Sequence, residues 1–200
     1  MTEAERFEHL LREQCRSFLD LDERAAQLLW SHFGLLRRWN KKLNLTSVVD
    51  LEGAVERHYA ESLFLASLLP TGVTRVADIG SGAGFPGLPI AAVRPGVELV
   101  LVESDRRKGA FLRECRDFVG NARVECCRAE ALRGPFDAVV GRAVRPEIIL
   151  ETGVRVGSWV GILLSRADGE PLAERIGGKL SALPWDPASV AMTSHVPRET

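Results

Sequence analysis

Two rhythms of apolar residues divide the chain near residue 70. From Glu3 to Leu69 apolar side chains recur at helical spacing: Phe7, Leu11, Cys15 and Phe18 on one stripe, Ala25, Leu29, Phe33 and Leu36 on the next, then Leu51, Val55, Tyr59, Ser62, Ala66 and Leu69. Three helices are predicted. Asp22 and Asp50 are placed to accept free amides at the start of the second and third, and Pro70 with Gly72 stops the third. From Thr74 the pattern becomes short continuous apolar runs, RVADI, VELVLVE, RVECC, FDAVVG and WVGILLS, separated by segments that start as helices near Pro86, Asp105, Ala129 and Pro146. Strands that are apolar on both faces and alternate with helices predict a parallel sheet covered on both sides. Beyond Gly169, GEPLAERIGGKL predicts a helix ending at Gly177-Gly178, Pro184 and Pro187 a turn, and SVAMTSHV a last strand at the edge of the sheet.

The predicted class is therefore α/β, with a helical segment, residues 1–70, packed as a cap on a doubly wound unit, residues 71–200. At 200 residues and 46% hydrophobic composition the two fit one compact body, without room for a large separate substrate domain.

A formal net charge of −1 gives no global attraction to a polyanion, so a nucleic-acid partner would have to be met by a local basic patch. Arg37-Arg38 with Lys41-Lys42, and Arg106-Arg107-Lys108 with Arg113 and Arg116, are the candidates; each reads equally well as a solvated helix face. The opening MTEAERFEHLLREQC is charged throughout, and no apolar run reaches the roughly 18 residues a membrane span requires, so a cytoplasmic protein without membrane contact is expected. Cys15, Cys115, Cys126 and Cys127 lack C-x-x-C spacing; inert thiols and no metal site are expected.

The candidate chemistry lies in ADIGSGAGFPGLPIA, residues 77–91, which spells two nucleotide-binding loops. Gly82-x-Gly84-x-x-Gly87 is the dinucleotide fingerprint; Asp78-x-Gly80-x-Gly82-x-Gly84 is an acidic strand end entering a glycine turn. Charge separates them. A dinucleotide brings a pyrophosphate to the following helix start, where Asp78 would repel it. S-adenosyl-L-methionine brings an ammonium and a sulfonium, for which Asp78 has the right sign. Glu103, at the end of the second strand, suits ribose hydroxyls of either ligand. Pro89 is expected to delay the helix, which weakens the dinucleotide register. The methyl donor is favoured, and an NAD-dependent oxidoreductase stays as the rival.

WNKKLNLTSV at 39–48, RHYAESL at 57–63, DIGSGAGFPGLPIA at 78–91, VESDRRKGAFL at 102–112 and FDAVVGRAV at 136–144 together resemble, in order and spacing, the RsmG (GidB) family. The resemblance implies a Rossmann-like class I SAM-dependent methyltransferase with N-terminal helices, placing a methyl group on guanine N7 of 16S ribosomal RNA. It also implies action on RNA within the small ribosomal subunit, and a monomer is expected. Mapped onto this sequence, the donor site comprises Gly80 and Phe85, with Ala129 and Glu130 in CRAEAL and Arg142 in GRAV; the loop reading adds Asp78, Gly82, Gly84 and Glu103. Arg142, at the end of the fourth strand, is the expected catalytic residue at the donor–acceptor junction, against the alternative of a structural arginine paired with Asp137 or Glu147.

The chain also departs from the family. Where members carry a Lys after the fifth strand it has Ser165 and Arg166, the Ser usual before the fourth-strand Arg is Gly141, and the Arg usual near the last strand has no counterpart before Arg198. These departures motivate a second rival, a non-catalytic relative that binds donor or RNA. Guanine N7 has a free lone pair and no proton to lose, so transfer to it needs alignment and no general base. His9, His32, His58 and His195 are scattered and none is expected to be catalytic; His58 is expected to pack or hydrogen-bond on the third helix. Trp39, at the end of an apolar stripe, is expected in the core more than against a base.

Overall fold

The computed structural model describes residues 1–197. Helix α1 (Glu3–Cys15) begins with a reciprocal cap: the Thr2 hydroxyl accepts the Glu5 amide, and the Glu5 carboxylate accepts the Thr2 amide. Helix α2 (Glu23–Leu43) is capped by Asp22, as its sequence predicts, and ends at Asn44 in the left-handed region. The third predicted helix is capped by Asp50, but it is not uniform: α3 (Leu51–Ala54) passes into a π-helical turn (Val55–Ala60) and then α4 (Glu61–Leu68). Its apolar stripe from Leu51 to Leu69 is buried throughout. Spacings of four, four, three, four and three residues read equally as an α-helix, so the wider turn left no trace in the pattern.

The three helices meet around aromatic rings. Phe7 stacks on Phe33 at 5.5 Å between centroids and meets Tyr59 edge-on at 5.1 Å. Such pairs add roughly 0.5–1.5 kcal/mol each beyond the area they bury.

From residue 75 strands and helices alternate: β1 (Arg75–Ile79), α5 (Gly87–Val93), β2 (Glu98–Val102), α6 (Arg106–Val119), β3 (Ala122–Glu125), β4 (Ala138–Arg142), α7 (Pro146–Val156), β5 (Trp159–Ser165), α8 (Arg166–Ile176), β6 (Lys179–Leu183) and β7 (Asp186–His195). The sheet order is β3-β2-β1-β4-β5-β7-β6; the first five strands are parallel, and β7 runs antiparallel to both neighbours. Alternate residues of β1 serve different cores: Val76 joins the face covered by the N-terminal helices, α5 and α6, while Ala77 and Ile79 join the face covered by α7 and α8. Winding reverses between β1 and β4, so the open crevice lies at the carboxyl ends of the central strands. No helix among the described residues is long and apolar enough to cross a membrane.

Three expectations need correction. Ala129 starts only a single 3-10 turn, Ala129–Ala131. The Ala129 and Leu132 carbonyls instead accept the Arg155 guanidinium of α7 at 2.6 Å, so this connection is held from outside. Pro89 does not delay α5, which starts at Gly87; a first-turn amide has no intrahelical acceptor, so its loss there costs little. The strand containing SVAMTSHV is not the edge: β7 inserts between β5 and β6, and the edge is β6, formed by residues between the expected helix end at Gly177-Gly178 and the turn at Pro184. In addition, α8 starts at Arg166, three residues earlier than expected, and ends at Gly177 as expected.

Candidate active site

The loop after β1 turns on glycines. Gly80, Gly82 and Gly84 have φ of 68°, 54° and 90°, a region side chains rarely adopt. Gly80 also has no room for a Cβ, which would strike the Val144 side chain. The loop is tied down by its neighbour in the sheet: the Gly80 and Ser81 amides both donate to the Val102 carbonyl, at 2.8 and 3.1 Å. Glu103 completes the tie, accepting the Gly82 amide on Oε2 at 3.0 Å and the Asp105 amide on Oε1 at 2.8 Å.

Above the loop lies a cleft of about 520 Å³. Gly80, Ser81, Gly82, Ala83 and Phe85 line it from the loop, Glu103 and Lys108 from the β2 side, Arg128, Ala129 and Glu130 from beyond β3, and Arg142 and Val144 from beyond β4. Seven residues singled out from the sequence, Gly80, Gly82, Phe85, Glu103, Ala129, Glu130 and Arg142, thus share one cleft although they are spread over 63 positions of chain.

Asp78 and Gly84, also expected in contact with the ligand, do not line it. Asp78 is fully buried beneath the loop, where Oδ2 accepts the Gly87 amide at 3.1 Å and Oδ1 has no hydrogen-bond partner among the described residues. Burial pushes its carboxyl up to about 7, against the Gly87 amide and the Arg142 charge, which favour the carboxylate. Gly84 faces Leu88 and His32 and serves the turn alone. Lys108, Arg128 and Leu45 line the cleft without having been expected there; Arg128 adjoins Ala129, Lys108 had been noted only in the basic run 106–108, and Leu45 had no signal outside the WNKKLNLTSV motif.

Arg142 crosses from the sheet to the helical cap. Its Nη1 donates to Glu61 Oε2 at 3.2 Å and to the Arg57 carbonyl, its Nη2 donates to His58 Nδ1 at 3.0 Å, and its Cζ lies 5.1 Å from the Phe85 ring centroid. The expected alternatives are otherwise engaged: Asp137 accepts the Thr74 and Arg75 amides, and Glu147 faces Arg175 at 3.5 Å. Burial pushes the Glu61 carboxyl up and the Arg142 guanidinium down, each opposed by the other's charge.

Most of the remaining sequence candidates lie off the cleft. Arg37 pairs with Glu3, Arg38 with Glu114, Arg107 with Asp105 and Arg116 with Asp117, so much of both basic runs is locally countered. Trp39, expected in the core, is half-buried at its margin, where it packs edge-on to Phe111 and donates to Glu114. His32 and His58 are buried and hydrogen-bonded. Cys15 and Cys115 are buried, and Cys127 lines the cleft. Arg166 donates to the Pro187 carbonyl and pairs with Glu170, away from the cleft, while Ser165 caps α8. Arg198 lies outside the described residues.

A seven-stranded sheet of this order, with an antiparallel β7 and a glycine loop facing an acid at the end of β2, defines a class I methyltransferase fold. A human methyltransferase 10 domain containing protein has the same fold at a TM-score of 0.56, covering 83% of this chain and 97% of that one at 13% identity. The family described as rRNA small subunit methyltransferase G matches residues 25–152. Proteins named ribosomal RNA small subunit methyltransferase G are 41% identical in Halorhodospira halophila, over 83% of this chain and 78% of that one, and 39% identical in Stenotrophomonas maltophilia, over 76% and 74%. The chain belongs to the rRNA small subunit methyltransferase G family.

Proposed function

We propose that the chain transfers a methyl group from S-adenosyl-L-methionine to guanine N7 of 16S ribosomal RNA, acting as a monomer in the cytoplasm on the small ribosomal subunit. The observation that carries the reading is the single cleft that gathers Gly80, Gly82, Phe85, Glu103, Ala129, Glu130 and Arg142 at the carboxyl ends of the central strands of a family member.

The residues present fit the donor, which supplies an electrophilic methyl group on a sulfonium. The Glu103 carboxylate, already fixed by two backbone amides, keeps lone pairs for ribose hydroxyls. Asp78, buried beneath the loop and off the cleft, supports the donor site indirectly by holding the Gly87 amide at the start of α5. Ala129 and Glu130 offer a backbone amide and an acid for the adenine edge, and Phe85 an apolar face. A dinucleotide fits less well: the Gly87 amide at the start of α5, where a pyrophosphate would sit, is taken by Asp78 Oδ2.

For the acceptor, the chain has to align and shield rather than remove a proton. His32 and His58 each have both ring nitrogens in hydrogen bonds, which suits a base-free transfer. Arg142, anchored beside the cleft, supplies a fixed positive charge at the donor–acceptor junction. Lys108 and Arg128 on the cleft supply charge for RNA phosphates.

The test is transfer of labelled methyl to small subunits lacking their N7 methylation, beside an Arg142→Ala control. Incorporation at one guanine N7, lost in the control, supports the reading. Donor binding without incorporation into any small-subunit RNA would replace it with the non-catalytic binding relative, consistent with Ser165 and Arg166 lying off the cleft.

A further inference from the structure

The WNKKLNLTSV and RHYAESL segments contribute one cleft-lining residue, Leu45, yet they converge on Arg142. The Asn40 side chain grips Thr46 from both sides, its Nδ2 donating to the Thr46 carbonyl and its Oδ1 accepting the Thr46 amide, each at 2.9 Å. Thr46 is thereby fixed to the end of α2. Its hydroxyl accepts the Val48 amide at 3.1 Å and lies 2.7 Å from His58 Nε2.

The chemistry of the next link sets the direction of the line. A guanidinium only donates, so His58 Nδ1 accepts from Arg142, and the neutral ring carries its proton on Nε2 and gives it to Thr46 Oγ1. Burial first, and the Arg142 charge second, push His58 down to about 4, in keeping with that neutral form. The ring also stacks on Phe85, with centroids 4.8 Å apart. Phe85 is therefore flanked by an imidazole and a guanidinium that are bonded to each other.

The π-helical turn supplies the rest. In an unbroken α-helix the Glu61 amide would take the Arg57 carbonyl; here it takes the His58 carbonyl, and the Arg57 carbonyl accepts from Arg142. Three acceptors within residues 57–61 thus hold one guanidinium whose side chain is only 19% exposed. A free arginine side chain samples many rotamers, and this arrangement removes that freedom before substrate arrives.

We propose that Thr46 and His58 are positioning residues for methyl transfer, fixing Arg142 beside Phe85 through a hydrogen-bonded line that starts at Asn40. The proposal rests on the reading of Arg142 as the residue at the donor–acceptor junction. Neither Thr46 nor His58 touches the reacting atoms in this scheme; both act through the arginine.

The experiment compares Thr46→Val, His58→Ala and His58→Asn, alone and in an Arg142→Lys background, reading kcat and KM for unmethylated subunits, donor Kd by calorimetry, and Tm. In the native background Thr46→Val and His58→Ala are expected to lower kcat by about tenfold or more while donor Kd stays within about twofold, since a small misplacement of an aligning group is felt in the chemical step. His58→Asn, whose Oδ1 can replace Nδ1 as acceptor, is expected to recover most of the rate. With Arg142→Lys, whose compact ammonium lacks the planar fork that spans the three acceptors, the same changes are expected to cost less than about twofold more. Should His58→Ala fail to fold, Thr46→Val, of similar shape, carries the test. Full kcat in Thr46→Val and His58→Ala beside an inactive Arg142→Ala would overturn the positioning role alone. Equal losses in His58→Ala and His58→Asn, or undiminished losses in the lysine background, would also overturn it. Full activity in Arg142→Ala would instead remove the reading on which it rests.

Discussion

Gly82 donates its amide to Glu103 Oε2 at 3.0 Å, so the glycine loop after β1 and the end of β2 are closed on each other by one carboxylate. The same carboxylate holds Asp105, the N-cap of α6. Glu103 thus belongs at once to the loop, to the cleft and to the start of a helix.

Glu103→Ala is expected to weaken donor binding by about ten- to a hundredfold, since hydrogen bonds to a charged group contribute roughly 1.5–3 kcal/mol. Calorimetry with S-adenosyl-L-methionine reads it. A Kd within twofold of the native protein would exclude Glu103 from donor binding.

Gly80 and Gly177 separate backbone strain from collision. Their φ values are 68° and 67°, but a Cβ at Gly80 strikes Val144 and one at Gly177 meets open space. Gly177→Ala is expected to cost about 1–2 kcal/mol of stability, the left-handed penalty, and to leave donor affinity unchanged. Gly80→Ala is expected to cost more and to weaken donor binding. Equal losses in denaturant unfolding would mean that Val144 yields freely.

Asp78 ties stability to pH with an unusual sign for a carboxylate. Its folded pKa, about 7, lies above its ordinary value of 3.8, so the folded state holds this proton more tightly. Stability from this group is fully present below about pH 4 and is lost as pH rises through 7. The Tm of the native protein is expected to fall relative to Asp78→Asn between pH 5 and pH 8. Parallel curves would show that Asp78 is ionised throughout that range.

His32 acts in the opposite sense. Its Nε2 donates to the Ala83 carbonyl in the glycine loop at 3.0 Å, its Nδ1 accepts from the Tyr59 hydroxyl at 2.8 Å, and burial pushes it down to about 4. Stability from the neutral ring is present above about 6.5 and is lost as pH falls toward 4. Nitrogen NMR is expected to find the His32 ring neutral, with its proton on Nε2, at pH 5.5. An imidazolium signal at that pH would contradict the buried neutral ring.

The residues that sequence alone determined are those whose partners are near neighbours in the chain. Asp22 and Asp50 cap helices because the amides they accept lie three residues on. The five apolar runs became the parallel strands, four of them because burial on both faces demands continuous apolar residues while β3 forms a half-buried edge, and Glu103 was legible as the acid ending the second of them. The glycine loop was legible for the same local reason, since its turns require positive φ.

Tertiary structure decided what depends on distant partners. Arg142 meets Glu61 across 81 residues, a pairing set by how the helical cap docks and by the π-helical turn that brings Arg57, His58 and Glu61 together. Asp78, read as facing the ligand, turns instead toward α5, because Gly87 has no side chain to keep it out. The strand β7 inserts beside β5 rather than remaining at the edge, since its register is set by hydrogen bonds to both neighbours and its own alternation does not name them. Caps, turns and periodicity act over a few residues and are written locally; docking, side-chain direction and strand order are settled only when the whole chain competes for the same buried space.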